Sequence, residues 1–276
     1  MTSHNDIIRN QASARPTDRA RSNAAVRMLN KVPEVTIYFW IVKVLATTVG
    51  ETGADLLSTT LNWGLSVTTW FMSTLLIASL VLQFRARRYT PSLYWTAVVL
   101  ISVVGTLFTD NLVDNFGVPL WVTTALFAVA LAGTFAVWFA RERTLSIHTI
   151  LTRRRESFYW LTILFTFALG TAAGDLISEG LQLGYALAVG VFAGLIALVA
   201  VAHYVFTFNV VLSFWLAYIL TRPLGASVGN LLSQAHGDGG LGLGTIGTSL
   251  LFLAVIVAVV ISFTRSERRS RLLMAR

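Results

Sequence analysis

The sequence predicts an all-α polytopic membrane protein with eight transmembrane helices. These come from four parallel two-helix repeats related by pseudo-rotation about the membrane normal. Three observations predict this: long apolar runs, a gap-free four-fold internal repeat, and basic residues crowded into alternate connections.

The apolar runs come first. Of 276 residues 55% are hydrophobic and only 12% charged, and mean hydropathy is +0.69. A soluble domain of this size cannot hide that much apolar surface. Eight segments approach the ~20 residues that cross a bilayer as a helix. They lie near 34–60, 62–84, 91–114, 118–140, 157–181, 184–206, 208–234 and 242–264. Their length, without strand alternation, marks them as helices rather than barrel strands. The polar stretch before them has no apolar core of a secretory signal. Residues 1–33 read as a flexible basic tail and 265–276 as a second one.

The repeat comes next. Four segments align without a gap: "WIVKVLATTVGETGADLLST" from Trp40, "WTAVVLISVVGTLFTDNLVD" from Trp95, "WLTILFTFALGTAAGDLISE" from Trp160 and "WLAYILTRPLGASVGNLLSQ" from Trp215. Ten residues after each Trp stands Gly50, Gly105, Gly170 or Gly225. Fifteen after stands Asp55, Asp110, Asp175 or Asn230. Trp40 to Trp160 and Trp95 to Trp215 are both 120 residues apart, as though a pair of units had been duplicated. The units occupy about 34–88, 89–145, 155–207 and 208–264. Two spans per unit make every unit enter from the same side, so the repeats are parallel and not inverted.

Charge then sets orientation. Arg85, Arg87 and Arg88 follow the second span; Arg141, Arg143, Arg153, Arg154 and Arg155 follow the fourth; Arg265, Arg268, Arg269, Arg271 and Arg276 follow the eighth. The N-terminal stretch adds Arg9, Arg15, Arg19, Arg21, Arg27 and Lys31. The opposite connections carry no Lys or Arg. The positive-inside rule places both termini in the cytoplasm. It also accounts for the net charge of +8 without a nucleic-acid partner.

With its four tandem two-span units, each bearing a characteristic tryptophan, the chain resembles a family of bacterial membrane proteins over about residues 34 to 264. That family, sometimes called membrane-anchored proteins, is loosely linked to efflux and has no known function. The resemblance implies the repeat architecture and a bacterial inner membrane. It carries no chemistry.

The chemistry is read from the residues. Small residues stand ten and fourteen after each Trp, and such pairs let helix backbones approach closely in lipid. Steps of four from the third residue after Trp trace a polar stripe on each odd helix. It runs Lys43, Thr47, Glu51, Asp55, Thr59 in unit 1 and Val98, Ser102, Thr106, Asp110, Asp114 in unit 2. In unit 3 it is Ile163, Phe167, Thr171, Asp175, Glu179, and in unit 4 Tyr218, Arg222, Ala226, Asn230, Gln234. Six of the 13 acidic residues lie on these stripes, opposed only by Lys43 and Arg222. Buried charges in a membrane face the bundle interior and mark ion pathways. The even helices carry almost no charge and read as a lipid-facing layer.

Glu51, Asp55, Asp110, Asp175 and Asn230 are therefore the expected cation-binding residues. Asp114 and Glu179 form an expected outer acidic layer. Lys43 and Arg222 are expected to pair or gate on the cytoplasmic side. Glu51, Asp55, Asp110 and Asp175 are the candidate metal ligands, since a set of carboxylate, amide and hydroxyl oxygens suits Mn²⁺, Mg²⁺ or Ca²⁺. The four tryptophans, near the cytoplasmic ends of the odd spans, are expected as interfacial anchors. Pro223 is expected to kink the seventh span.

No cysteine is present, so disulfides and thiolate sites are excluded. No nucleophile triad, zinc-protease histidine pair or phosphate loop occurs, so no enzyme and no resident cofactor is expected. The reading is a cation transporter, of a divalent metal such as Mn²⁺, with export coupled to protons. Its alternatives are a membrane anchor for a partner protein and a transporter of a small organic cation or zwitterion. The expected partners are the lipid bilayer and the transported cation, and a single chain can enclose its own pathway.

Overall fold

A computed structural model describes residues 31–86 and 88–274. The tail arginines Arg9, Arg15, Arg19, Arg21 and Arg27 lie outside the described residues, as do Arg87 and Arg276. The described chain is helical throughout, with eight long helices: α1 (Ile37–Asp55), α2 (Leu65–Arg85), α3 (Pro91–Asp110), α4 (Leu120–Glu142), α5 (Arg153–Asp175), α6 (Tyr185–Tyr204), α7 (Val210–Ser233) and α8 (Gly244–Met274). Seven of them, α2 to α8, are long and apolar enough to cross a membrane, which points to a multi-pass membrane protein. The exception, α1, carries Lys43, Glu51 and Asp55 within 19 residues.

Local chemistry starts the odd helices. Thr36 caps α1 by accepting from Phe39 N–H, Thr152 caps α5 through Arg155 N–H, and the Asn209 side chain accepts from Val211 and Leu212 N–H at the start of α7. At α3 a proline occupies the first turn, where no N–H partner is needed.

The odd helices form the inner layer. α1 packs on α3, α3 on α5, α5 on α7, and α7 back on α1. Burial separates the two layers: 56% of the most apolar stretch is buried in each of α3, α5 and α7, against 11–22% in α2, α4, α6 and α8. The even helices turn residues such as Trp70, Val129 and Leu198 outward. Each packs chiefly on the odd helix that follows it: α2 on α3, α4 on α5 and α6 on α7. The last, α8, returns to α1. The units are thus interlocked rather than self-contained hairpins, a relation that a sequence period alone cannot show.

The repeat glycines set the spacing of this inner layer. A Cβ on Gly50 would run into Ser102, on Gly105 into Phe167, on Gly170 into Arg222, and on Gly225 into Thr47. Each glycine thus faces the residue seven after the tryptophan of the next unit. Threonines reinforce these joints. Thr48 Oγ1 donates to Gly225 O at 3.1 Å, and Thr109 Oγ1 to Ala168 O at 3.0 Å.

Two boundaries differ from the sequence reading, and Pro223 has a packing role. Lys31 and Val32 are buried, so the packed region begins before residue 34. At the other end α8 continues helically to Met274, ten residues past the expected boundary. And α7 is a single α-helix through Pro223, whose ring and backbone pack against Gly170 and Gly174. Proline there fills a joint between α5 and α7.

Candidate functional site

The first three odd helices end alike. Directly after Asp55, Asp110 and Asp175 the α-helix widens into a π-helical turn, at Leu56–Thr60, Asn111–Asn115 and Leu176–Gly180. Five-residue hydrogen bonds close each turn: Leu61 N–H to Leu56 O at 2.8 Å, Phe116 N–H to Asn111 O at 3.0 Å, and Leu181 N–H to Leu176 O at 2.8 Å. Such turns are rare in α-helices and concentrate at functional sites. The fourth unit has none. Its Gln234 N–H returns to Asn230 O at 2.9 Å, an ordinary four-residue bond.

At this end of the bundle the odd helices enclose a partly open cavity of about 200 Å³. Asp55, Asp110, Asp175 and Asn230 line it at one depth in the repeat. Thr59, Asp114, Glu179 and Gln234 line it one turn further out, and Glu51 lies one turn further in. Both layers of the stripe therefore meet in one space. Among the described residues Asp55, Asp110 and Asp175 have no hydrogen-bonding partner, whereas Glu179 accepts from Tyr185 Oη at 3.0 Å.

Glu51 is held differently. Its Oε2 lies 3.1 Å from Arg222 Nη2 and 3.3 Å from Thr106 Oγ1. Its Oε1 accepts from Asn230 Nδ2 at 3.3 Å. Arg222 is wholly buried and also donates to Thr171 Oγ1 at 2.7 Å and to Thr106 Oγ1. Units 1, 2 and 3 thus each offer an oxygen to the one arginine of unit 4. Glu51 serves as the arginine's counter-ion as well as a wall of the cavity.

Of the two residues expected to pair or gate, Arg222 pairs with Glu51, whereas Lys43 is placed differently. Lys43 has no hydrogen-bond acceptor among the described residues. Its ammonium sits 3.9 Å from the Tyr218 ring centroid and 4.7 Å from that of Phe167. A desolvated cation on an aromatic face gains about 2 kcal/mol from the ring quadrupole.

The expected metal-ligand set is not assembled. Among the described residues no three His, Asp or Glu side chains converge closely enough to hold a metal ion. Four separate helices hold Glu51, Asp55, Asp110, Asp175 and Asn230 around a cavity rather than at a point, and Arg222 engages Glu51.

Three of the four tryptophans expected as interfacial anchors lie inside the bundle, and Trp40 is half-buried. Trp95, Trp160 and Trp215 are buried, and Trp40 packs on Phe39 and Phe214. They form an aromatic layer at the far end of the bundle rather than an interfacial belt. Trp215 Nε1 donates to Leu145 O at 2.9 Å, a bond that satisfies the indole within protein. In the same layer Tyr94 and Tyr159 share a 2.5 Å hydroxyl hydrogen bond. Beyond it Lys31 Nζ pairs with Glu156 at 2.7 Å and donates to Phe84 O at 3.3 Å. The sequence reading missed this layer, although it carries a signal: every repeat tryptophan follows an aromatic residue, in Phe39-Trp40, Tyr94-Trp95, Tyr159-Trp160 and Phe214-Trp215.

None of the curated proteins and none of the solved structures matches this chain. One family does, and it matches four times in tandem, at residues 38–89, 93–144, 158–208 and 213–269. These stretches follow the four units described above and cover most of the chain. The protein therefore belongs to the family described as Repeat of Unknown Function (DUF347).

Proposed function

We propose that the protein carries a cation across a membrane through the acidic cavity. One observation supports this most: five carboxylates with no salt bridge among the described residues (Asp55, Asp110, Asp114, Asp175, Glu179) line a single space. Carboxylates grouped in a low-dielectric wall attract cations and repel anions, and their cost in lipid makes a purely structural role expensive.

In this reading α1 joins α2 to α8 as an eighth span. Its charges are covered by α3 and α7 rather than exposed to lipid. The cyclic packing of the odd helices supports pseudo-four-fold symmetry about the membrane normal. The arginine-bearing connections lie at the end away from the cavity, so the positive-inside rule puts both termini in the cytoplasm and opens the cavity outward. In a bacterial cell the membrane would be the inner one.

A divalent metal such as Mn²⁺, exchanged for protons, fits this reading only as an ion that keeps part of its water shell. The carboxylates do not converge on a point. The same observation favours a second reading, in which the cargo is a small organic cation.

Flux into liposomes tests the proposal. Mn²⁺, Mg²⁺, Ca²⁺, Zn²⁺, K⁺, H⁺ and methylammonium would be compared under gradients of either sign. Asp110→Asn with Asp175→Asn should abolish the flux of the preferred cation while the protein stays folded. Undiminished flux in that variant would remove the cavity from the pathway. Absence of any cation flux would favour the anchor role.

A further inference from the structure

The wall of the cavity presents acceptors and almost no donors. Its carboxylates are Asp55, Asp110, Asp114, Asp175, Glu179 and the Arg222-paired Glu51. Two of its hydroxyl donors are spent on helix backbone, Ser58 Oγ on Ala54 O at 2.7 Å and Thr109 Oγ1 on Ala168 O at 3.0 Å; Thr59 Oγ1 lies 3.3 Å from Ser58 Oγ, and the Gln234 amide is a further donor in the lining. No Lys, Arg or His lines the space.

Asn230 adds an independent observation. Its side chain is 5% exposed and lines the cavity. The Nδ2 atom donates to Glu51 Oε1 at 3.3 Å. That bond fixes the amide, because the reverse orientation would set two oxygens against each other. The Oδ1 atom is left buried with no donor. Buried acceptors in native proteins are satisfied by protein groups or ordered water, and the carboxylates that line this space supply only oxygen. A partner for it brings N–H or O–H hydrogens, as a water or an ammonium does.

Size narrows the choice. A space of about 200 Å³ is many times the roughly 10–15 Å³ that admits one water. A bare metal ion would be held by at most two carboxylates at a time. An ammonium or guanidinium head, by contrast, points several N–H donors in different directions and can satisfy separated acceptors at once.

Resting on the transport reading above, we infer that the cavity's ligand is a small organic cation with several N–H donors, a primary amine, diamine or guanidinium, and not a dehydrated metal ion. An attached carboxylate or phosphate has no counterpart in the wall, so the class excludes zwitterions such as amino acids.

The test is binding to the full-length protein in detergent micelles, by isothermal titration at constant ionic strength. The probes are 1,4-diaminobutane, guanidinium, Mn²⁺, Mg²⁺ and glycine. Diaminobutane or guanidinium should bind saturably and more tightly than either metal, and glycine should not bind. Asn230→Leu should weaken the organic cation about tenfold or more, the loss of one hydrogen bond to a charged partner. Tighter binding of Mn²⁺ or Mg²⁺ by the wild-type protein would overturn the inference while leaving cation transport in place. If wild-type protein binds none of the five, and the Asp110→Asn/Asp175→Asn variant is as active in flux as wild type, both the inference and the transport reading fall. The wild-type panel decides the ligand class even where a variant fails to fold.

Discussion

Units 1 to 3 and unit 4 share a register but divide the work. In the first three an aspartate is followed by a π-helical turn. In the fourth an asparagine is followed by plain α-helix. Unit 4 also supplies the arginine to which Glu51, Thr106 and Thr171 of the other three units turn. A ring of four identical aspartates would be all repulsion. Replacing one by an amide, and placing one guanidinium eight residues earlier on that helix, anchors the ring while leaving three carboxylates free. The comparison teaches that departure from the repeat is where the site is organised.

The largest effect should come from making units 2 and 3 resemble unit 4. Asp110→Asn with Asp175→Asn should remove cation flux in liposomes, with the unfolding midpoint in detergent equal to or above wild type because unpaired buried charge is relieved. A variant that loses flux only because it unfolds would break the comparison. Next comes the unique arginine. Arg222→Met strands Glu51 in a buried setting and should cost about 3–5 kcal/mol in denaturant unfolding. The double variant Glu51→Gln/Arg222→Met should recover most of that loss.

The joints should matter less, and alike. Gly225→Val and Gly50→Val each force a side chain into a neighbouring helix and should each cost about 1–3 kcal/mol. A much smaller cost at Gly225 would mean that the contact of unit 4 with unit 1 is looser than the others. The smallest effect belongs to the aromatic layer, where units 2 and 3 carry Tyr and units 1 and 4 carry Phe. Tyr94→Phe removes the hydroxyl pair with Tyr159 and should cost about 1 kcal/mol, read from the same unfolding curves.

Much of this was legible in the sequence because it repeats. The Trp, Gly and Asp spacing identified the four units. Helical steps of four placed Asp55, Asp110, Asp175 and Asn230 in one layer and Thr59, Asp114, Glu179 and Gln234 in the next. What escaped depends on contacts between distant residues. Which helix an even span leans on is set by packing, so its preference for the following unit left no mark in the period. A tryptophan near a span end reads the same whether it faces headgroups or its own copies. Only the aromatic residue before it favoured the second. Lys31 was grouped with the tail arginines because nothing local announces a partner 125 residues away. Backbone chemistry alone makes Pro223 a kink, while its place is set by the two glycines it packs against.

The leaning of each even helix onto its successor has a consequence for biogenesis. Among the described helices α1 is synthesised first, and it carries Lys43, Glu51 and Asp55 within 19 residues. Its outer cover, α8, and the arginine that neutralises Glu51 are the last to arrive, the latter 171 residues later. At ordinary synthesis rates of about 5–20 residues per second the wait is roughly 10–30 s. If α1 is the eighth span of the proposed reading, its charges are without Arg222 and α8 for that interval. A nascent chain truncated before Arg222 should remain bound to the insertion machinery instead of passing into lipid.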